Sequence, residues 1–193
     1  MPTLERGALR EALLGEVRAV CTSDGPEAVS IARIARKLGV SSGAPFRLFP
    51  SREHIFAALV EAELTRLDRA FAAIVAQPEA DPAARLRALC AAYVDHARSE
   101  PAMFRLTFSM SATALGADAL LALGERVYGK VRDTVAACLP GESDPDEIEL
   151  RSYMLWSAVH GHALLRIAGQ IEDQGIEVAD ETVIAEAVQQ VSR

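Results

Sequence analysis

The stretch from residue 30 to residue 56, SIARIARKLGVSSGAPFRLFPSREHIF, constrains the fold of this chain more than any other. Its first part has apolar residues at i, i+3, i+4 and i+7, namely Ile31, Ile34, Ala35 and Leu38. This spacing predicts a two-turn helix whose apolar stripe has to pack against another element. Ser30 stands at the N-cap position, and Gly39 permits the left-handed backbone in which helices end.

A second short helix is predicted directly after this turn, over residues 43–48, with Ser41 or Ser42 as its cap. Pro45 is tolerable only in a first helical turn, where backbone N–H groups lack partners anyway. Pro50 then breaks the chain, and Ser51 caps a third helix. Two short helices joined by a tight turn predict a helix-turn-helix, whose second helix would lie in the major groove of double-stranded DNA.

These residues also carry a family resemblance. The pattern I-A-x-x-L-G-V-S, followed by G-A-P-F-x-x-F-P-S-R-E, resembles the N-terminal domain of TetR-type transcriptional regulators over about the first 60 residues. That family usually has Tyr at the position of Phe46 and places its phenolic oxygen on a phosphate, so the Phe46 ring is expected to pack in the core instead. Farther along, WSAVHG (156–161) looks like the W-x-x-x-H-G signature of one C-terminal regulatory domain found in the family.

Basic residues of the first 52 positions are the candidates for DNA contact, although scattered charges often form only a solvated face. Arg47 lies on the predicted reading helix, and Arg52 opens the next helix, where the resemblance implies a basic residue on a phosphate. The predicted DNA-binding residues are Ser30, Arg33, Ser41, Ser42, Ala44, Pro45, Phe46, Arg47 and Arg52.

The charge distribution agrees with a protein that meets DNA with one end only. The whole chain has a net charge of −7, which argues against nonspecific coating of nucleic acid or membrane. Residues 1–52 hold eight Arg or Lys against five Asp or Glu, whereas residues 53–193 hold twelve against twenty-two. A weakly basic head on an acidic body is a modest signal that would not establish DNA binding alone.

The rest of the chain is predicted to be all-α, because Ala and Leu supply most apolar residues and aromatic residues only 5%. About nine helices are expected, with a first helix over 4–21, a connecting helix over 52–76 and a loop over 109–116. The predicted domains are a helix-turn-helix DNA-binding domain, 1–52, and a helical-bundle regulatory and dimerisation domain, 77–193.

The last two predicted helices suggest a homodimer. Residues 153–168 are apolar on nearly every side, and one chain of this size can hardly bury such a helix alone. The final segment, 180–193, has a second apolar stripe: Val183, Ile184, Ala187, Val188 and Val191. A four-helix interface between two subunits would cover both helices, as the family resemblance also implies.

Trp156 and His160 are four residues apart and share one helix face, which leaves two interpretations open. Either they form a packed core pair with a hydrogen-bonded imidazole, or they line an apolar ligand cavity with one polar handle. His162 would point away from His160, so the two cannot share a metal. The predicted ligand-binding residues are Tyr93, Phe104, Phe108, Tyr128, Trp156 and His160.

No catalytic, metal or cofactor site is predicted. GVSSG (39–43) matches the G-x-S-x-G nucleophile elbow, but the elbow requires a preceding strand and a helical stripe precedes it here. The sequence has no H-E-x-x-H motif and no glycine-rich phosphate loop. Charges interrupt the first residues where a signal peptide needs an apolar core, so a cytoplasmic protein without a membrane span is expected.

These patterns together predict a ligand-responsive, homodimeric transcriptional repressor that a small apolar or amphipathic effector releases from a palindromic operator. The effector's identity stays open. The alternative is a helical small-molecule-binding protein that has lost DNA binding, which Phe46 and the weak basic charge suggest.

Overall fold

A computed structural model describes residues 5–78, 81–110, 118–141 and 143–191. Throughout these ranges the regular structure is helical, with no strand, which confirms the predicted all-α fold. The predicted 109–116 loop and the last two residues of the predicted final helix lie almost wholly outside them. The α-helices are α1 (Arg6–Asp24), α2 (Ile31–Lys37), α3 (Arg52–Val75), α4 (Pro82–Ser99), α5 (Pro101–Ser109), α6 (Asp118–Cys138), α7 (Pro145–Ile167), α8 (Gln170–Asp173) and α9 (Asp180–Val191).

The chain divides into two compact units. The first comprises Met1–Glu63 and Ala102–Leu121, and the second comprises Leu64–Pro101 and Ala122–Arg193. This division differs from the predicted domains, because residues 102–121 of the predicted C-terminal domain group with the N-terminal residues. The connecting helix was predicted over 52–76 and is observed as α3, which contributes residues to both units.

The first unit is built around the packing of α1 on α2. Leu9, Leu13 and Val17 recur at four-residue spacing along α1 and are buried. Ile34 and Ala35 of α2 are buried as well, and the absence of a side chain beyond Cβ in Ala35 permits close helix approach. Sequence periodicity therefore identified the core-facing sides of both helices.

A buried charge in the first unit interrupts the apolar core side of α3. Glu63 is buried, with 2% of its surface exposed, while the adjacent Leu64 is only half-buried. The Glu63 carboxylate forms an ion pair with the Arg18 guanidinium of α1. Burial of this carboxylate therefore depends on a basic partner.

The second unit is organised by α4, α7 and α9, which pack against one another pairwise. Ile184, Val188 and Val191 of α9 are buried within this unit, and Val188 is only 2% exposed. The prediction that this stripe forms a subunit interface is therefore wrong for these three residues, because α4 and α7 of the same chain already cover them.

Charged side chains fix the start of α9. Asp180 Oδ1 lies 2.8 Å from His162 Nε2 and 2.7 Å from Arg166 Nε, and Asp180 Oδ2 lies 3.2 Å from Arg98 Nη1. Burial favours a raised pKa for Asp180, but the hydrogen bonds from His162 and Arg166 outweigh it and lower the pKa. His162 therefore has a structural role at the α7–α9 junction.

Candidate DNA-reading surface and aromatic cluster

The ends of α2 have the geometry that their residues predict. The Ser30 hydroxyl accepts a hydrogen bond from the Arg33 backbone N–H at 3.4 Å, which caps the helix. Gly39 has φ of +69°, and the Val40 N–H donates to the Ala35 carbonyl at 3.0 Å. A residue with a side chain would be strained at Gly39, so this glycine sets the direction in which the chain enters the next segment.

The segment after this turn is shorter than predicted. Only Pro45–Arg47 is helical, as a 3-10 helix, and no side chain caps it. The Ala44 N–H instead donates to the Ser41 backbone carbonyl at 2.9 Å. Pro45 has no N–H to donate to a helical hydrogen bond, and Pro50 prevents a helix from continuing beyond the next five residues. A regular α-helix therefore does not form here.

We call residues 41–47 the reading segment, and its side chains divide between core and solvent. Ala44 and Pro45 are buried, so they leave the set of side chains that could contact DNA directly. Phe46 was expected in the core, but half of its surface is exposed (50%). Ser41, Ser42 and Arg47 are exposed as well. Because Ala44 and Pro45 already face inward, the next two residues are left on the outside.

Arg52 is integrated into the fold instead of extending from it. Its guanidinium donates to the Pro26 carbonyl oxygen and lies over the Phe56 ring, 4.8 Å from the centroid. Its Nε is buried. The arginine thus ties the start of α3 to the loop before α2, which the family resemblance alone did not indicate.

Two other predicted DNA-binding residues on α2 remain at the surface. Ser30 is exposed although its hydroxyl serves as the cap. Arg33 is exposed with one Nη2 contact of 3.1 Å to the Ala28 carbonyl.

Lys37 pairs with Glu16 at 2.5 Å, whereas neither a hydrogen bond nor an ion pair is found for Arg47 among the described residues. Arg47 is therefore a cation of this surface that is available to an external partner.

A hydrogen-bonded aromatic cluster lies in the second unit. Trp156 Nε1 donates to the Tyr93 hydroxyl oxygen at 3.4 Å, and that oxygen lies 2.8 Å from His160 Nδ1. Which of these two groups donates depends on the tautomer of the His160 ring. Burial lowers the pKa of His160 and raises that of Tyr93, which keeps both groups neutral near pH 7.

Tyr128 and Tyr153 extend this cluster around the Trp156 indole. Their ring centroids lie 5.8 Å and 6.3 Å from it, both in edge-on arrangements. The Tyr128 hydroxyl donates to Glu149 at 3.0 Å. Tyr153 was not predicted, and only its spacing of three residues from Trp156 could have indicated it.

The six predicted ligand-binding residues do not all belong to this cluster. The second unit brings together Tyr93, Tyr128, Trp156 and His160. Phe104 and Phe108 instead pack against each other in the first unit, with tilted rings whose centroids lie 4.9 Å apart. Trp156 is not a buried core residue, because 37% of its surface is exposed. The cluster therefore combines the hydrogen-bonded imidazole of one interpretation with the accessible indole of the other.

One side of α7 is exposed and apolar, as expected of a helix that a single chain of this size can hardly bury on every side. Leu155, Val159 and Ala163 face the core of the unit. On the other side Met154 is 57% exposed. The further exposed apolar residues of this stripe are Leu150, Tyr153, Leu164 and Leu165.

The stripe continues into an open groove of about 340 Å³ between α7 and α9. Its lining residues are Arg151, Met154, Leu155, Ala158, Ala187, Gln190 and Val191.

Within the described residues, no helix is long and apolar enough to cross a membrane, and no cluster of His, Cys, Asp or Glu could hold a metal ion.

Comparison with known proteins places these features in a family. The model for tetracycline repressor-like C-terminal domains matches residues 86–189, more than half of the chain, and the model for bacterial regulatory proteins of the TetR family matches residues 16–59. The chain belongs to the TetR family. Both matched models describe regulatory or repressor-like proteins, and together they span residues 16–59 and 86–189.

Individual relatives of this TetR-family chain are distant. The nucleoid occlusion factor SlmA of Citrobacter koseri is 26% identical over 133 residues, which cover 67% of the chain but only 61% of SlmA. A protein of unknown function from Rhodococcus sp. RHA1 has a similar structure, with a TM-score of 0.77, 25% identity, and coverage of 96% and 94% of the two chains. The TetR-family regulator PfmR from Thermus thermophilus has a TM-score of 0.65 and 20% identity to this chain, with coverage of 93% of this chain and 96% of PfmR.

Proposed function

We propose that this protein is a ligand-responsive, homodimeric repressor that binds a palindromic operator through the reading segment. The observation that carries the proposal is the exposed pair Phe46 and Arg47, held outward on a turn whose preceding helix is capped at both ends. A regulator of this kind acts on DNA in the cytoplasm.

The proposed DNA surface combines the reading segment with the exposed side of α2. Arg47 supplies a guanidinium that can bind guanine or a phosphate, and Ser41 and Ser42 supply short hydroxyls. Arg33 adds a second cation, whose guanidinium donates to the Ala28 backbone carbonyl. We assign Arg52 a structural role, because its donors are directed to the Pro26 carbonyl and its guanidinium lies on Phe56.

The proposed dimer uses the exposed side of α7 and the groove beside α9. An exposed run of large apolar side chains on one helix is costly in water and typical of a subunit interface. Gly161 supports this face as the contact, because a Cβ added there would meet no described atom within 4 Å. The space beside Gly161 would accept a partner helix, and two reading segments related by a two-fold axis would match half-sites about 34–36 Å apart.

The proposed effector site lies at the aromatic cluster. The Trp156 indole offers apolar contact area, and the Tyr93–His160 pair offers a neutral hydrogen-bonding handle beside it. These features fit a small apolar or amphipathic ligand. Ligand binding would favour a spacing of the two reading segments that does not match the operator, since a ligand shifts an equilibrium only through its differential affinity for the two states.

Footprinting of the DNA that flanks the protein's own gene tests the proposal. The expected result is a protected palindrome whose two half-sites are equally occupied and whose protection disappears with Arg47→Ala. Protein that is folded and dimeric but protects no sequence would instead support the alternative of a helical small-molecule-binding protein.

Trp156→Ala tests the effector site once an inducing compound is found by screening. We expect wild-type operator affinity without the compound and loss of its releasing effect, because the substitution removes ligand contacts outside the reading segment. A variant that melts early and loses DNA binding in proportion would identify the cluster as structural. Val159→Ala, at a buried position on the same helix, provides the matched measure of a purely structural defect.

A further inference from the structure

We propose that Phe46 determines operator specificity by contacting the C5 methyl group of a thymine in the major groove. The inference rests on the proposed DNA binding and adds the chemical group that this residue recognises. Its starting point is the position of the ring: Phe46 is half-exposed, next to Arg47 and on the side of the reading segment that faces away from the core.

The backbone on both sides of Phe46 is anchored, so the side chain extends from a fixed point of the reading segment. Pro45 and Phe49 are buried, and the Pro45 carbonyl accepts hydrogen bonds from the N–H groups of both Leu48 and Phe49 at 3.0 Å. Arg10 lies over the Phe49 ring, 5.3 Å from its centroid. Because this backbone is already ordered, only the side-chain rotation of Phe46 is restricted when the ring meets a ligand, which favours a specific contact over a nonspecific one.

The chemistry of the ring restricts what it can recognise in DNA. A phenyl group has no hydrogen-bond donor or acceptor of ordinary strength, so it cannot read the polar edges of the bases or neutralise a phosphate. The apolar feature that the major groove presents is the C5 methyl group of thymine, for which Phe is a suitable partner. Arg47 beside it can make a polar contact, so the two residues would read different groups.

Deoxyuridine substitution isolates this contact, because uracil differs from thymine only in lacking the methyl group. Each thymine of the footprinted operator is replaced singly, and dissociation constants are measured by fluorescence anisotropy at one fixed salt concentration. For the wild-type protein we expect one thymine in each half-site whose replacement weakens binding about three- to fivefold, as the burial of one methyl group predicts.

Three variants connect this effect to Phe46. Phe46→Ala should bind the thymine and uracil operators equally, and its melting temperature should equal that of the wild type because the ring is exposed. Phe46→Tyr keeps the ring and should keep the preference for thymine. Arg47→Ala should weaken binding to both operators while preserving their ratio.

Three outcomes would overturn the proposal. Wild-type protein that binds its operator with no loss at any uracil position would contradict the methyl contact but leave the repressor function intact. A preference for thymine that persists in Phe46→Ala would assign the contact to another residue. A protein that protects no DNA at all would overturn both the methyl contact and the proposed function, which distinguishes that case from the first two.

Discussion

The Arg52 guanidinium donates a hydrogen bond to the Pro26 carbonyl oxygen, 26 residues earlier in the chain. This contact joins the first turn of α3 to the loop that leads into α2. We propose that this arginine helps to position the proposed DNA-reading surface without being part of it.

Arg52→Ala should therefore reduce stability more than it reduces DNA binding. We expect a loss of about 2 kcal/mol in the free energy of unfolding, since a charged hydrogen bond and a ring contact are removed together. Below the melting transition, the slope of log affinity against log salt should stay unchanged. Urea unfolding and salt titrations measure the two effects, and a slope that falls by about one unit would instead place Arg52 on a phosphate.

Glutamate substitutions at Met154 and Val188 should separate the subunit interface from the core. Met154→Glu should give a folded monomer, because the side chain is exposed within one chain and lies at the proposed interface. Val188→Glu should unfold the protein, because an unpaired charge would enter the packing of α4, α7 and α9. Circular dichroism and analytical ultracentrifugation distinguish these outcomes.

Ala185→Glu provides the matched control for this pair, since Ala185 is exposed on α9 and does not line the groove. It should remain folded and dimeric. A wild-type chain that sediments as a monomer at micromolar concentration would contradict the dimer, and a dimeric Met154→Glu would place its interface elsewhere.

His160 should make stability depend on pH below neutrality. Burial lowers the pKa of His160 in the folded protein below its ordinary value of 6.5, so the unfolded chain takes up its proton first as pH falls. Between the two pKa values the unfolded state binds more protons, and the free energy of unfolding therefore decreases as pH decreases through this range. Urea unfolding at about pH 7.5 and about pH 5.5 should show a larger decrease for wild type than for His160→Gln. Equal decreases would mean that His160 titrates alike in both states.

Local signals in the sequence predicted the first helix of the DNA-binding pair well. The cap at Ser30, the stripe through Ile34 and Ala35, and the positive φ of Gly39 depend on neighbouring residues only. The reading segment was predicted less well, because the effect of Pro45 depends on how many residues follow before the next break. Phe46 lies on the solvent-facing side of this segment. Periodicity over so few residues cannot predict which of its side chains are buried and which are exposed.

Apolar stripes in the second half of the chain show a different limit. The pattern of α9 correctly identified Ile184 and Val188 as buried, but a stripe does not indicate whether its own chain or a second copy covers it. The pattern of α7 indicated more apolar surface than one chain can cover, and the folded chain leaves Met154 exposed. The partner of a stripe depends on the tertiary arrangement, which a periodicity does not contain.

The most direct test of the central claim is the operator affinity of Arg47→Ala, measured by anisotropy beside that of the wild type and Arg33→Ala. If the reading segment contacts bases, Arg47→Ala should lose about 1–3 kcal/mol of binding free energy and relax preference at one operator position, with an unchanged melting temperature. Arg33→Ala, if Arg33 contacts phosphate, should weaken binding to all sequences alike and leave that preference unchanged. An Arg47→Ala protein that binds the operator with wild-type affinity and selectivity would contradict the assignment of residues 41–47 as the DNA-reading surface.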